Sequence, residues 1–177
     1  MRKQLLLTLI IALIVVGCGT TKQTSTLHGD SYDETANKTT YILVPYGNVE
    51  IPGKWKRTTY NQVSRQQFFT DDDSSTIAIA KNPKEKYPFY LEKKSDYELV
   101  TDFFKWDSEY WVNQGYKAIK IEENETENFI IWQITGDKVN NIFLFGLKNN
   151  LITNYMVSSK WTDKEKIEFV TNLYRNN

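Results

Sequence analysis

The sequence predicts an α+β domain, a mostly antiparallel sheet with two amphipathic helices arranged as an α/β/α sandwich. Three observations carry this. Ser95 with Glu98, and Thr162 with Glu165, have the capping-box spacing, in which a hydroxyl and a carboxylate satisfy each other's backbone N–H groups at a helix start. Strand-like segments at about 116–122, 128–135, 141–148 and 151–157 follow one another across turns short enough for an antiparallel meander. Phe129-Ile-Ile-Trp132 and Ile142-Phe-Leu-Phe145 are apolar on consecutive residues instead of alternating ones, as in strands covered on both faces.

The chain opens with a short cationic stretch, Met1 to Gln4, and then Leu5 to Val16, apolar apart from Thr8. Such a run would span about 18 Å as a helix at about 1.5 Å per residue. A bilayer core takes about 20 residues, so the segment has the grammar of a secretory signal peptide and is too short for a durable membrane span. It ends at Cys18, the single cysteine of the chain. Val15-Val16-Gly17-Cys18 resembles the bacterial lipobox. That resemblance implies diacylglyceryl transfer to the Cys18 sulfur and cleavage between Gly17 and Cys18. An ordinary signal peptide with a chance cysteine is the alternative. Two or more acyl chains hold a protein on a membrane stably, whereas one does so only marginally. The thiol is thus expected to be an anchor.

Cleavage removes Arg2 and Lys3, leaving 20 Lys and Arg against 22 Asp and Glu. This balance offers no electrostatic footprint for nucleic acid or anionic lipid. With no further cysteine, an extracytoplasmic domain must stand on its core alone. Residues 18–40 read as the lipidated cysteine and a flexible polar tether, because Gly19 to Thr40 has too little to bury to offset ordering. A single α+β domain is expected over 41–177.

Within that domain, Tyr41 to Val44 and Asn48 to Ile51 read as short strands, and Pro52-Gly53 turns the chain into Trp55. Arg65 to Thr70 and Thr76 to Ala80 flank the polar turn Asp71 to Ser75, a hairpin signal. A loop with Pro83 and Pro88 leads to the first helix. Its Tyr97, Val100, Phe104 and Trp111, with Leu99, Phe103, Trp106 and Tyr110, recur at three and four residues along one broad face. Gly115 supplies the left-handed stop. The final helix points Ile167, Val170, Leu173 and Tyr174 one way. This order of elements, with the Pro52, Gly53, Trp55 spot, resembles the PsbP-like sandwich over about residues 41–175. That family includes photosystem II subunits, a nuclear Ran-binding factor and many bacterial lipoproteins. It implies a non-enzymatic role in binding proteins or stabilising assemblies, with no shared catalytic residue to transfer.

The sole histidine, His28, falls in the expected tether, which leaves the expected folded region without the usual general acid–base near neutral pH. Nucleophile–His pairs and His-rich zinc sites are thereby excluded. Asp71-Asp72-Asp73 lacks the EF-hand order and reads as a solvated turn, as do Glu122, Glu123, Glu125 and Glu127. No catalytic residue, metal or cofactor is expected. The candidate partner surface is aromatic: Trp55, Tyr60, Tyr87, Tyr90 and Trp161 lie at element ends or in loops, where exposed rings mark interfaces. The expectation is a lipid-anchored, extracytoplasmic, non-catalytic binding or assembly-support domain. Its partners would be the membrane, through lipid on Cys18, and another envelope protein. Gly19, in place of the Asp that retains lipoproteins at an inner membrane, favours the outer membrane in a cell that has two. The alternatives are an envelope enzyme using carboxylates only and an immunity lipoprotein that neutralises a toxin.

Overall fold

The structure is a computed structural model that describes residues 26–177. Ten strands run in the order β1 (Leu27–Asp33), β2 (Lys38–Val44), β3 (Val49–Pro52), β4 (Lys56–Asn61), β5 (Gln66–Thr70), β6 (Thr76–Pro83), β7 (Lys117–Asn124), β8 (Phe129–Gly136), β9 (Val139–Lys148) and β10 (Leu151–Ser158). Helix α1 (Asp96–Asn113) lies between β6 and β7, and α2 (Asp163–Asn176) closes the domain. The α+β class expected from the sequence is the class observed. Cys18 and Gly17 lie outside the described residues. Among those described, no helix is long and apolar enough to cross a membrane.

Strands β4 to β10 form one antiparallel sheet in the order β4-β5-β6-β10-β9-β8-β7. The meander from β7 to β10 is built on local turn chemistry. Asn149 and Asn150 both take positive φ, as the two central residues of a type I′ hairpin must. The hairpin pairs Leu151 with Lys148. Side chains alternate across this sheet. Ile130, Trp132, Phe143, Phe145 and Met156 point to one core, while Phe129, Ile131, Ile142, Leu144 and Tyr155 point to the other. The consecutive apolar runs are therefore strands buried on both faces.

Both helices start where the sequence places them. Ser95 Oγ accepts from Glu98 N at 3.2 Å and Glu98 Oε2 accepts from Ser95 N at 2.7 Å. Thr162 and Glu165 repeat the exchange. Gly115, at φ +89°, ends the run after α1. Helix α1 packs on β7, β8 and β9. On the opposite face α2 meets β9 and β10, and its Tyr174 ring rests on Gly146, where a Cβ would clash with the ring carbons.

One expectation needs correction. The polar segment to residue 40 is not all tether: β1 pairs with β2 over seven residues from Leu27↔Val44 to Asp33↔Lys38. The folded region thus includes residues 27–40, which the sequence reading assigned to the tether. Strand β1 carries almost nothing to bury, so hydrophobic patterning could not reveal it; backbone pairing with β2 holds it in place. The layer opposite α1 holds more than a helix. It is shared between α2 and a small β1-β2-β3 sheet, whose Tyr41, Leu43, Val49 and Ile51 pack into the same core as Phe69 and Ile77.

Candidate binding groove

Helix α1 carries a carboxylate inside its apolar stripe. Asp107 falls four residues after Phe103 and four before Trp111, the spacing that puts all three on one face. Because α1 covers only the β7–β9 side of its sheet face, its outer flank does not close against β5. A groove of about 530 Å³ remains. Phe103, Trp106, Asp107, Tyr110 and Trp111 form one wall, and Phe68, Phe143 and Asn154 rise from the sheet. The β4–β5 turn and the Lys86–Pro88 segment form the rim.

Each part is locally held. Phe103 stacks on Phe145 with centroids 3.9 Å apart and planes 8° from parallel, and Tyr87 leans on Phe103 at 5.0 Å. Trp111 packs against Tyr116 and Phe143. In the β4–β5 turn, Asn61 Oδ1 accepts from Val63 N at 2.9 Å and Ser64 N at 3.2 Å, an Asx turn. That turn leaves Val63 95% exposed at the rim, beside Trp106 and Tyr110, which are each about half exposed.

The groove is polar at two inner points. Burial pushes the Asp107 carboxyl up to about 7, with no neighbouring charge contributing. Asn154 is 6% exposed, and its Oδ1 has no hydrogen-bond partner among the described residues. Trp132 Nε1, deeper under α1, is likewise without one. Tyr87 is raised to about 12 by burial, against the pull of an Asn82 hydrogen bond. A volume of this size with aromatic walls and a few converging polar groups is the form of a small-ligand site.

The five aromatic residues expected to form a partner surface do not form one. Trp55 is a correction: it is 6% exposed, donates from Nε1 to Pro52 O at 2.7 Å and packs against Trp161 and Phe169. It belongs to the core on the side away from the groove, with Trp161 half-buried beside it. Tyr60 lies on β4 against His28, with ring centroids 5.0 Å apart. Tyr90 is half-buried under the α1 face, and Tyr87 alone of the five lines the groove. Cys18 and Gly17 are not described.

His28 is also placed differently from expectation. It stands on β1, shares a hydrogen bond between Nδ1 and Tyr41 Oη, and has its pKa lowered by burial and by the Arg57 charge. The folded region therefore does hold a histidine, and the exclusion of histidine chemistry loses its premise. The acidic segments have structural roles. Asp71 Oδ1 accepts from the backbone N–H groups of Asp73 and Ser75, and Glu127 receives a two-pronged contact from Arg175 at 2.9 Å each. Among the described residues no group of three His, Cys, Asp or Glu side chains is placed to hold a metal ion.

Sequence reading missed Asp107 and Asn154. Asp107 had a signal, a lone acid within an aromatic stripe. Asn154 had only its position amid an apolar strand.

No family model matches the chain, and no curated protein matches it. Among solved structures the chain is similar to cyanobacterial PsbP (CyanoP) from Synechocystis sp. PCC 6803. Identity is 15%, covering 90% of this chain and 93% of that one, with a TM-score of 0.38. By its name that neighbour is of the family the sequence resembles. A likeness at this level says nothing about the groove or its chemistry.

Proposed function

We propose that this chain is a lipid-anchored, non-catalytic binding domain of the cell envelope, with the α1 groove as its binding site. The observation that carries the reading is the 530 Å³ aromatic cleft with unpaired polar groups inside it. The lipobox-like Val15 to Cys18 supports the anchor. With β1 starting at Leu27, only residues 19–26 separate the lipidated cysteine from the fold. Eight residues reach at most about 28 Å fully extended, so the domain would work close to the membrane surface.

Binding is favoured over the carboxylate-only enzyme because, among the described residues, Asp107 is the single carboxylate lining the groove. Glycoside hydrolysis by the common route requires a pair. A protein partner is the second reading, favoured by Val63, Trp106 and Tyr110 standing exposed together around the mouth. Crosslinked capture from membranes with and without Tyr110→Lys tests it, and a partner unaffected by that change does not use the groove.

Two measurements test the main reading. Cys18→Ser should move the protein from the membrane pellet to the soluble fraction while its circular dichroism stays unchanged; firm retention in the pellet defeats the anchor. A neutral aromatic probe, 2-phenylethanol, should bind saturably and quench tryptophan fluorescence, and Tyr110→Lys should weaken it. No saturable binding defeats the groove.

A further inference from the structure

Two polar side chains, Asp107 and Asn154, stand inside the groove. Asp107 offers carboxylate oxygens with no hydrogen-bond partner among the described residues, and Asn154 brings a side-chain amide whose buried Oδ1 is likewise unpaired. An unmatched carboxylate in a cleft is satisfied by a ligand that donates. The walls are of one kind. Trp106, Tyr110, Trp111, Phe103 and Tyr87 present aromatic rings, whose negative faces attract cations, Trp most strongly. Aromatic faces around a partly desolvated carboxylate complement a positive charge on an apolar body.

We infer that the groove takes a small organic ammonium ion, a primary amine on an apolar or aromatic body, with Asp107 as its counter-ion. This rests on the groove being the binding site proposed above. A primary ammonium is favoured over a quaternary one because only the former can donate a hydrogen bond to Asp107. The charged and titratable groups around Asp107 are few. Its own helix supplies Tyr110, the rim segment supplies Lys86 and Tyr87, and the β4–β5 turn supplies Arg65. The strands below supply Phe68, Phe143 and Asn154, none of them ionisable. Arg65 and Lys86 are exposed at the rim, where water and salt screen them. Neither forms an ion pair with Asp107, whose burial alone accounts for its character.

The test is calorimetric titration of the full chain in detergent with three matched probes: 2-phenylethylamine, 2-phenylethanol and 3-phenylpropionate. At about pH 8 the amine should bind at least about tenfold tighter than the alcohol, and the propionate weakest; tenfold is about 1.4 kcal/mol. Asp107→Asn keeps shape and removes charge. It should bring the amine to within about twofold of the alcohol measured on the same variant. In the unaltered protein, lowering the pH to about 5.5 should shrink the preference in the same direction, because Asp107 takes up a proton. Equal binding of amine and alcohol, a preference that survives Asp107→Asn, or tightest binding of the propionate would each overturn the ammonium assignment. If the alcohol still binds, the groove itself stands. If neither amine nor alcohol binds, the groove reading fails with it.

Discussion

The two faces of the seven-stranded sheet are built from equally apolar strands yet end differently. On one face α2 and the β1-β2-β3 sheet share the covering. Tyr41, Phe69, Ile131, Leu144 and Tyr155 are each essentially buried there. On the other face α1 is the main cover. It sits over β7 to β9, and the strip above β5 and β10 is left to loop residues and the groove. The same residue types make a closed core where two elements share the covering and a cleft where one must do it alone. A buried polar group tells them apart. On the closed face Lys166 is sealed in but donates to Asn140 O at 2.9 Å. On the open face Asp107 and Asn154 keep acceptors free.

The contrast can be broken first at its tightest packing. Phe145→Ala removes a ring stacked on Phe103 and should cost about 3–5 kcal/mol in urea melts. Phe104→Ala, whose ring is only half-buried, should cost clearly less than that. Equal losses would mean that α1 is seated differently.

Asp107 sharpens it next. Its pKa is raised in the fold from 3.8 to about 7. The stability it contributes is therefore fully present below about 4 and is lost as pH rises towards 7. Asp107→Asn mimics the protonated state. It should stabilise the protein on the order of 2–4 kcal/mol at about pH 8 and change little below about pH 4. Destabilisation at about pH 8 would show that the carboxylate has a partner in solution.

On the closed face, a chain beginning at Thr39 loses β1 and the Asp30–Arg57 ion pair at 2.8 Å. It should melt lower by about 4–8 °C, the equivalent of about 2 kcal/mol, whereas a chain beginning at residue 26 should match one beginning at Gly19. No difference between the two truncations would mean that β1 adds nothing to the cover. The smallest effect is expected at Asp72→Asn in the β5–β6 turn. Asp71, not Asp72, holds that turn, so the change should stay within about 0.5 kcal/mol in urea melts.

Much of the fold is a local matter and was legible as such. Both capping boxes, the Gly115 stop, the Asn149-Asn150 turn and the doubly buried β8 and β9 follow from side chains acting on backbone within a few residues. The lipobox-like end of the apolar segment is legible in the same way. Strands β1 and β4 were not. β4 is exposed along its length and β1 nearly so, and each is held by pairing to the next strand across a turn. Trp55 looked like a loop aromatic because nothing local says that Trp161 and Phe169, more than a hundred residues later, close over it.

The sequence by itself determined where helices start and stop, which strands are buried on both sides, and that one carboxylate rides on the apolar stripe of α1. Capping, periodicity and turn geometry act over one to four residues, so they are written into neighbouring letters. Only the tertiary structure decided that α1 covers too little of the sheet to seal that carboxylate in. Whether a face closes depends on which distant elements share the covering, and the groove exists because β5, β10 and α1 come together without filling the space between them.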